Sequence, residues 1–364
     1  MSYPDLAGQP VSGIAINYLQ LAPACKAGDT VALNTTAVDL QLGTGGVLFV
    51  VPSAAQKSDS GAQGDRADAT PPLSATPPLS STPPPVGGHI MKLRYTPLQR
   101  EVLAIEEQSS PHHEQLKAAR SLAGRPVVCC ELHSQVPLVA AAVKHLEPQA
   151  TLAYCMTDQA ALMLAFSEMI PAAQAAGLID VTISCGQALG GDHEAITLHS
   201  GLLAAAQVLK ADVIIVGIGP GIAGSGTAFG HGGIAQGEAL NAVATLSGVP
   251  IAPLRLSFAD ARTRHQGVSH HSICALADIC LAEAVIPLPN DLPYEQRQQV
   301  DRALEQAGIY EKHGAVEIPV DPEAIDLRGL AVTTMGRTRQ EDPAFFSAAY
   351  AAGILAGSLL AERC

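Results

Sequence analysis

The residues best suited to chemistry are histidines and aspartates that follow apolar, strand-like runs. Imidazoles exchange protons near neutral pH, and carboxylates orient them. The predicted catalytic residues are His231, His265, His270, His271, Asp192 and Asp260. A divalent metal is an alternative, held by His193, His270 and Asp260, but the histidines lack the i, i+4 spacing of a helical zinc motif. Purely structural histidines are the third interpretation.

Arginines and glycines recur near these candidates and predict an anionic ligand. The chain has 21 Lys plus Arg and a net charge of −13, so a local group of arginines favours a phosphate or carboxylate. The predicted ligand-binding residues are Arg255, Arg262, Arg264, Arg337, His133, Gln135, Gly219, Gly221, Gly224 and Gly226.

The glycines lie in GPGIAG, residues 219–224, which formally matches G-x-G-x-x-G after a strand-like run. Pro220 removes one backbone donor, and Arg255 and Ser257 occupy the place of the ribose-binding acid, which disfavours NAD. The loop amides are predicted to form an anion nest, and the alternative is that these glycines only permit tight turns and close packing.

Composition excludes several classes of protein. The acidic balance and the absence of Trp argue against a nucleic-acid surface. Eight cysteines without a C-x-x-C pair indicate reduced thiols in the cytoplasm. The most apolar stretch, residues 348–361, is shorter than a membrane span of about 20 residues, and no secretory signal pattern opens the chain. We therefore expect no nucleic-acid partner and no membrane partner.

Strand-like runs alternate with helical patterns through the larger part of the chain. The predicted strands cover residues 127–132, 151–156, 181–185, 213–216, 251–256, 284–286 and 330–334. This alternation predicts a Rossmann-like α/β domain over 111–364, with a mainly parallel sheet and helices on both faces. Residues 1–110 predict a small N-terminal β domain, interrupted at about 52–88 by a disordered Pro/Ser-rich insertion that contains TPPLSATPPLSSTPPP.

Several long stretches resemble an uncharacterised bacterial family, the domain-of-unknown-function 3866 family (DUF3866). They are GDTVALNTTAVDLQLGTGG (28–46), GHIMKLRYTPLQ (88–99), LHSQVP (132–137), GIAGSGTAFGHGGIAQGEALNAV (221–243), RLSFADARTRHQGVSHHS (255–272) and TTMGR (333–337). The resemblance supports the two-domain plan and implies no activity. It also implies that relatives carry more β sequence before the YPDLAG-like stretch, and that the Pro/Ser-rich tract is a local insertion.

The residues together predict a cytosolic hydrolase or group transferase acting on a phosphorylated or carboxylated small molecule. If the sheet is parallel, the candidate residues lie at the carboxyl ends of its strands, where ligands bind in such folds. The alternative is a non-catalytic ligand sensor or scaffold that uses the same pocket, and a weaker one is a partner protein that docks through the Pro-rich tract. The sequence is compatible with a divalent-metal cofactor or with none, and with a monomer or a homo-oligomer.

Overall fold

The computed structural model describes residues 2–4, 10–19, 24–39, 47–51 and 88–361. The chain divides into two compact units, Met1–Leu103 and Ala104–Cys364. The predicted Pro/Ser-rich insertion lies outside the described residues, apart from Gly88 at its end.

The first unit contains short strands, as expected for a small β domain. Within its described residues they are β1 (Ser2–Pro4), β2 (Pro10–Ser12), β3 (Ile14–Ile16), β4 (Leu33–Asn34), β5 (Val47–Val50), β6 (Ile90–Lys92) and β7 (Arg100–Val102). β1 pairs with β2 and β6 with β7, while β5 lies between β3 and β4. A four-residue helix, α1 (Thr36–Asp39), precedes β5.

The second unit carries the main sheet. Its strands are β8 (Pro126–Cys129), β9 (Leu152–Thr157), β10 (Val181–Cys185), β11 (His193–Ala195), β12 (Val213–Ile218), β13 (Val249–Ile251), β14 (Leu256–Ser257), β15 (Gly267–Val268), β16 (Val285–Pro289) and β17 (Gly314–Ile318). Its helices are α2 (His113–Ala118), α3 (Gln135–Leu146), α4 (Met169–Ala175), α5 (Leu198–Gln207), α6 (Ile234–Thr245), α7 (His270–Cys274), α8 (Tyr294–Gln306), α9 (Ile309–Lys312) and α10 (Pro343–Ala361). Short 3₁₀ turns cover Leu164–Phe166 and Thr263–His265, and a π-helical turn covers Ala275–Ile279.

Eight of these strands form one sheet in the order β11-β10-β9-β12-β8-β13-β16-β17, and every neighbouring pair is parallel. β14 and β15 form a separate antiparallel ladder. The prediction of a Rossmann-like parallel sheet is therefore confirmed. Because all eight strands run the same way, the loops that follow them leave from one edge of the sheet.

Helices cover both faces, because side chains in a strand alternate between its two sides. In β12, Ile214 and Val216 belong to a core cluster shared with α5, α6 and α8, whereas Val213 and Ile215 belong to another shared with α3, α4 and α10. This two-sided burial explains why the strand reads as a continuous apolar run.

Helix α10 is the one described helix that is long and apolar enough to cross a membrane, but 67% of its most apolar window is buried inside the protein. It buries Phe345, Phe346 and Tyr350, and burial of each of the two phenylalanines contributes about 1.5–3 kcal/mol. Gly353 lets it approach α3, since a Cβ there would meet the Val139 carbonyl oxygen. Its 19 residues extend the apolar stretch seen at 348–361, and it packs as a core helix.

Three predicted elements differ from the structure. The predicted strand at 330–334 is wrong: only Thr334 forms a bridge there, to Arg337, and the sheet ends instead at β17. The predicted strand at 251–256 divides between β13 and β14 around Pro253, which has no N–H for a strand ladder. The helix predicted to begin at Glu194 begins at Leu198, because residues 193–195 form β11 and Thr197 caps the helix.

Candidate functional site

The candidate site lies where the chain changes direction across the sheet. β8 and β12 are neighbours, but the chain from β8 continues to β9 beyond β12, and the chain from β12 continues to β13 beyond β8. The following helices, α3 and α6, lie on opposite faces. In open parallel sheets this topology defines a crevice at the carboxyl ends of the two strands, which is the usual ligand position.

The loop after β12 folds back on itself and delivers His231 to this crevice. Ser225 N–H donates to the Gly230 carbonyl at 2.8 Å, and Gly232 N–H donates to the Ala223 carbonyl at 2.9 Å, so Gly224 and His231 lie opposite each other. Gly233 lets two rings pack closely, because a Cβ there would lie 3.0 Å from both His231 Nδ1 and His271 Cβ.

The four glycines predicted to bind the ligand have different structural roles in this loop. Gly221 and Gly226 adopt positive φ values of 89° and 79°, which favour glycine. Gly219 packs against the Ala161 carbonyl oxygen, where a Cβ would clash. Gly224 faces the imidazole of His271, since its Cβ would lie 3.4 Å from Nε2. Tight turns and close packing therefore account for these glycines, and the anion nest stays a prediction.

The segment after β13 supplies the other histidines. A 3₁₀ turn places His265, and α7 begins with His270 and His271. Ser269 is the N-cap of α7: its Oγ accepts the His271 N–H at 3.2 Å and lies 2.8 Å from His265 Nδ1. One serine thus fixes the positions of two histidines.

The structure brings together four of the predicted catalytic residues, His231, His265, His270 and His271, hereafter the histidine cluster. The His231 and His271 rings stack with centroids 3.9 Å apart and planes 3° from parallel. The His270 ring lies 4.3 Å from that of His271 and 5.0 Å from that of His265. His231, His270 and His271 each offer one possible ligand atom within 4.8 Å of the others.

Two nitrogens of the cluster are buried without a hydrogen-bond partner among the described residues, His231 Nδ1 and His270 Nε2. The His231 Nε2 atom lies 3.0 Å from the Ala228 carbonyl, which can only accept, so the proton is on Nε2 and Nδ1 keeps its lone pair. Buried polar atoms normally have partners, so these two nitrogens are the candidate ligand-binding atoms of the cluster.

Burial favours the neutral form of three rings of the cluster, His231, His265 and His270. It lowers the pKa of His270 to about 4, with help from neighbouring His271 and His231, and it also lowers the pKa of His231. Burial and the positive charges of Arg255 and Arg262 lower the pKa of His265 to about 3. Such imidazoles are weak bases, and neutral imidazole is the form that binds metals.

A carboxylate that the sequence analysis missed, Glu131, supports His271. Its Oε1 lies 3.4 Å from both His271 Nδ1 and the Arg255 guanidinium, and the Ser272 hydroxyl donates to Oε2 at 2.5 Å. Burial raises the pKa of Glu131, but the hydrogen bond from His271, the charge of Arg255 and the hydrogen bond from Ser272 together hold it below its usual value. The available signal was a lone carboxylate in the apolar run VVCCEL.

Three of the predicted anion-binding arginines are paired with carboxylates of the protein. Arg262 donates two side-chain hydrogen bonds to Asp260, at 2.9 and 2.8 Å. Arg337 donates to Asp342 at 2.9 Å and lies 3.5 Å from Asp260 Oδ2, and Arg255 lies 3.9 Å from the same oxygen. We call these residues with Glu131 the arginine–carboxylate network.

Asp260 is the centre of this network. The hydrogen bonds from Arg262 and the charges of Arg262 and Arg337 outweigh burial and hold the pKa of Asp260 well below its usual range. Asp260 is therefore ionised and engaged by arginines, which leaves it poorly placed to orient a histidine or bind a metal.

Arg264 differs from the other arginines. Its side chain is exposed, and it takes part in none of the ion pairs among the described residues that engage the other three. It lies close enough to His270 for its charge to help lower the pKa of that histidine. Arg264 is thus the predicted anion-binding arginine with a free guanidinium.

The remaining predicted residues are engaged elsewhere. His133 uses both ring nitrogens, at 3.0 Å from the Ile218 carbonyl and 2.7 Å from Ser167 Oγ. Gln135 accepts from the Glu131 and Leu132 amides and donates to the Leu254 carbonyl. Asp192 accepts from Thr182 and Gln174, and His193 lies in β11 at the edge of the sheet.

The fold and the position of the crevice define a Rossmann-like α/β protein. A sequence model of the family described as "Protein of unknown function (DUF3866)" matches residues 14–353. The chain therefore belongs to this family, and the resemblance noted in its sequence is confirmed. No curated protein and no solved structure matches the chain significantly.

Proposed function

We propose that this protein is an enzyme, a hydrolase or group transferase, with its reaction centre at the histidine cluster. The observation that carries the proposal is the convergence of four imidazoles, with unpartnered nitrogens, in the crevice between β8 and β12. Unpartnered buried polar atoms cost stability, and binding and catalysis are a common reason to retain them.

The substrate of this proposal is a small molecule with a phosphate or carboxylate group. Arg264 offers an exposed guanidinium beside His270, and a planar guanidinium suits either anion. Residues 223–230 are exposed, and those of their backbone amides that the loop's own hydrogen bonds leave unused are the second anion contact of the proposal. Arg255, Arg262 and Arg337 act through the network, where they hold the loop in place.

The reaction class follows from the groups present. In hydrolysis, a water oxygen bonds to the phosphorus or carbonyl carbon, the bond to the leaving group breaks, and a water proton passes to the leaving group. The imidazoles of the cluster are the proton-exchanging side chains of the proposed site. Hydride transfer from a dinucleotide has less support, because the glycine loop forms a hairpin and α6 begins only at Ile234.

We place this enzyme in the bacterial cytoplasm. All seven cysteines among the described residues are free thiols, and six of them are buried. Unpaired buried thiols suit a reducing compartment.

The experiment pairs binding with turnover. Inorganic phosphate and citrate are titrated calorimetrically into the full chain, and a panel of phosphomonoesters and carboxylic esters is assayed. Arg264→Gln should weaken anion binding about 10-fold or more, as loss of a charged hydrogen bond does. Arg302→Gln, at an exposed arginine of α8, is the matched control and should change nothing.

Two outcomes would revise the proposal. Anion binding without turnover of any ester would favour the non-catalytic ligand sensor. No binding of phosphate or citrate by the folded chain, or equal losses in the two arginine variants, would contradict the anionic substrate.

A further inference from the structure

We propose that His231, His270 and His271, the three ligand histidines, bind one divalent transition-metal ion of the zinc type. A water molecule completes the coordination. This inference deepens the proposed function, because it names the cofactor of the same site, but it is tested by metal binding alone.

The three ligand histidines lie close enough to coordinate one ion. Their ligand atoms lie within 4.8 Å of one another. Zn–N bonds of about 2.0–2.1 Å in a tetrahedron separate two nitrogens by about 3.4 Å. Coordination of one ion therefore requires the nitrogens to move closer together and one ring of the parallel His231–His271 stack to rotate out of that stack.

Each ligand histidine has a nitrogen available for the metal. His231 donates through Nε2 to the Ala228 carbonyl, which leaves the buried Nδ1 lone pair free. His271 faces the Glu131 carboxylate with Nδ1, which leaves Nε2 on the side of Gly224. His270 has a buried Nε2 without a partner among the described residues. Two of the three nitrogens therefore lack a hydrogen-bond partner among the described residues, and a bound metal ion would be a partner for both.

Glu131 supports the metal site indirectly, because its carboxylate lies next to the His271 nitrogen that does not face the ion. A metal-binding histidine usually donates its other N–H to a carboxylate or carbonyl, which fixes the tautomer and makes the imidazole a better ligand. His271 Nδ1 lies 3.4 Å from Glu131 Oε1 and 3.5 Å from Arg255 Nη1, and in the tautomer that binds the metal it donates to the carboxylate. His231 donates to the Ala228 carbonyl. Glu131 also brings a negative charge near the ion, whereas the ligand set is neutral.

The donor set selects the class of metal. Three imidazoles suit Zn²⁺ and neighbouring transition metals, whereas Mg²⁺ and Ca²⁺ prefer oxygen ligands. Three protein ligands and one water are typical of catalytic zinc sites. The set differs from the one expected from sequence, His193, His270 and Asp260, because His193 lies in the edge strand and Asp260 is held by arginines.

The test measures metal binding by the full chain, purified without a polyhistidine tag. The protein is stripped with a chelator, and Zn²⁺ and Co²⁺ are titrated, followed by calorimetry, metal analysis and the visible absorption of bound Co²⁺. Wild type should bind one ion per chain with the Co²⁺ spectrum of a four-coordinate site. Zn²⁺ at about 100 times its dissociation constant should add about 2.7 kcal/mol to the free energy of unfolding.

Two variants separate coordination from folding. His270→Ala removes a half-buried ligand and should weaken Zn²⁺ binding more than 100-fold while the metal-free chain stays folded. Glu131→Gln should weaken it about 10–100-fold, as loss of a supporting partner does. His145→Ala, at an exposed histidine in the last turn of α3, is the control and should bind as wild type does.

The inference is overturned if the folded wild type binds neither Zn²⁺ nor Co²⁺, or if His270→Ala binds as tightly as His145→Ala. These results are distinguishable from failure of the proposed function. If the chain binds zinc but turns over no ester, the metal site stands and the proposed enzymatic function is contradicted. If the chain binds neither Zn²⁺ nor Co²⁺ but turns over an ester, the proposed enzyme stands and the metal site is contradicted.

Discussion

The arginine–carboxylate network and the histidine cluster lie side by side but differ in charge and in the kind of partner that their side chains have. In the network, Asp260 is engaged by Arg262 and lies within 4 Å of two further arginines. In the cluster, His231 and His270 keep buried nitrogens without partners among the described residues. The charged residues therefore stabilise the loop, while the neutral imidazoles are free to bind a ligand.

The first prediction concerns a variant that removes a carboxylate of the arginine–carboxylate network and leaves the four histidines of the cluster unchanged. Asp260→Ala removes the carboxylate that accepts two side-chain hydrogen bonds from Arg262 and lies near the buried Arg255, and a hydrogen bond to a charged group contributes about 1.5–3 kcal/mol. We expect a loss of about that size in urea unfolding, while the stoichiometry of Zn²⁺ in the folded variant stays at one.

The control is Glu323→Ala, which removes the exposed partner of Arg339 and should cost less than about 1 kcal/mol. Loss of zinc binding by folded Asp260→Ala would show that the two regions are not separable.

The second prediction uses His133, a histidine at the same edge whose two ring nitrogens are both bonded. His133→Ala leaves the Ile218 carbonyl and Ser167 without this partner, so the free energy of unfolding should fall by about 1–3 kcal/mol. Calorimetric titration of the variant should give the wild-type affinity for Zn²⁺. A large loss of zinc affinity would instead make His133 part of the binding site.

The third prediction concerns pH and the same residue. Burial lowers the pKa of His133, partly offset by its hydrogen bond to the Ile218 carbonyl, so the unfolded chain takes up its proton first as pH falls. The contribution of neutral His133 is fully present above the unfolded pKa of about 6.5 and declines below it, by at most about 1.4 kcal/mol per pH unit.

Urea unfolding of the metal-free protein between pH 7 and pH 5 measures this slope. His133→Gln should show a shallower decline than wild type. An identical slope would mean that His133 does not contribute to the acid sensitivity.

The sequence predicted the parts of the site that depend on local pattern. Apolar runs alternating with helical patterns predicted the parallel sheet. Because parallel strands deliver their loops to one edge, the convergence of His231 with His270 and His271 followed from fold class.

The pairing of charges could not be read from local pattern. Arg255 meets Glu131, 124 residues earlier, and Ser257 meets Asp342, 85 residues later, and both contacts depend on the order of strands in the sheet. The sequence shows arginines near histidines but not which of them already have a carboxylate. This is why three predicted anion-binding arginines proved to be paired and Glu131 was missed.

The one-sided delivery of loops leaves the opposite edge of the sheet available for engineering. The turn between α3 and β9 lies at that edge, and its Pro148 and Gln149 are exposed. Exposed loop tips tolerate inserted residues well. A fluorophore or an affinity tag placed there would report on the protein, or immobilise it, with the histidine cluster facing away from the attachment point.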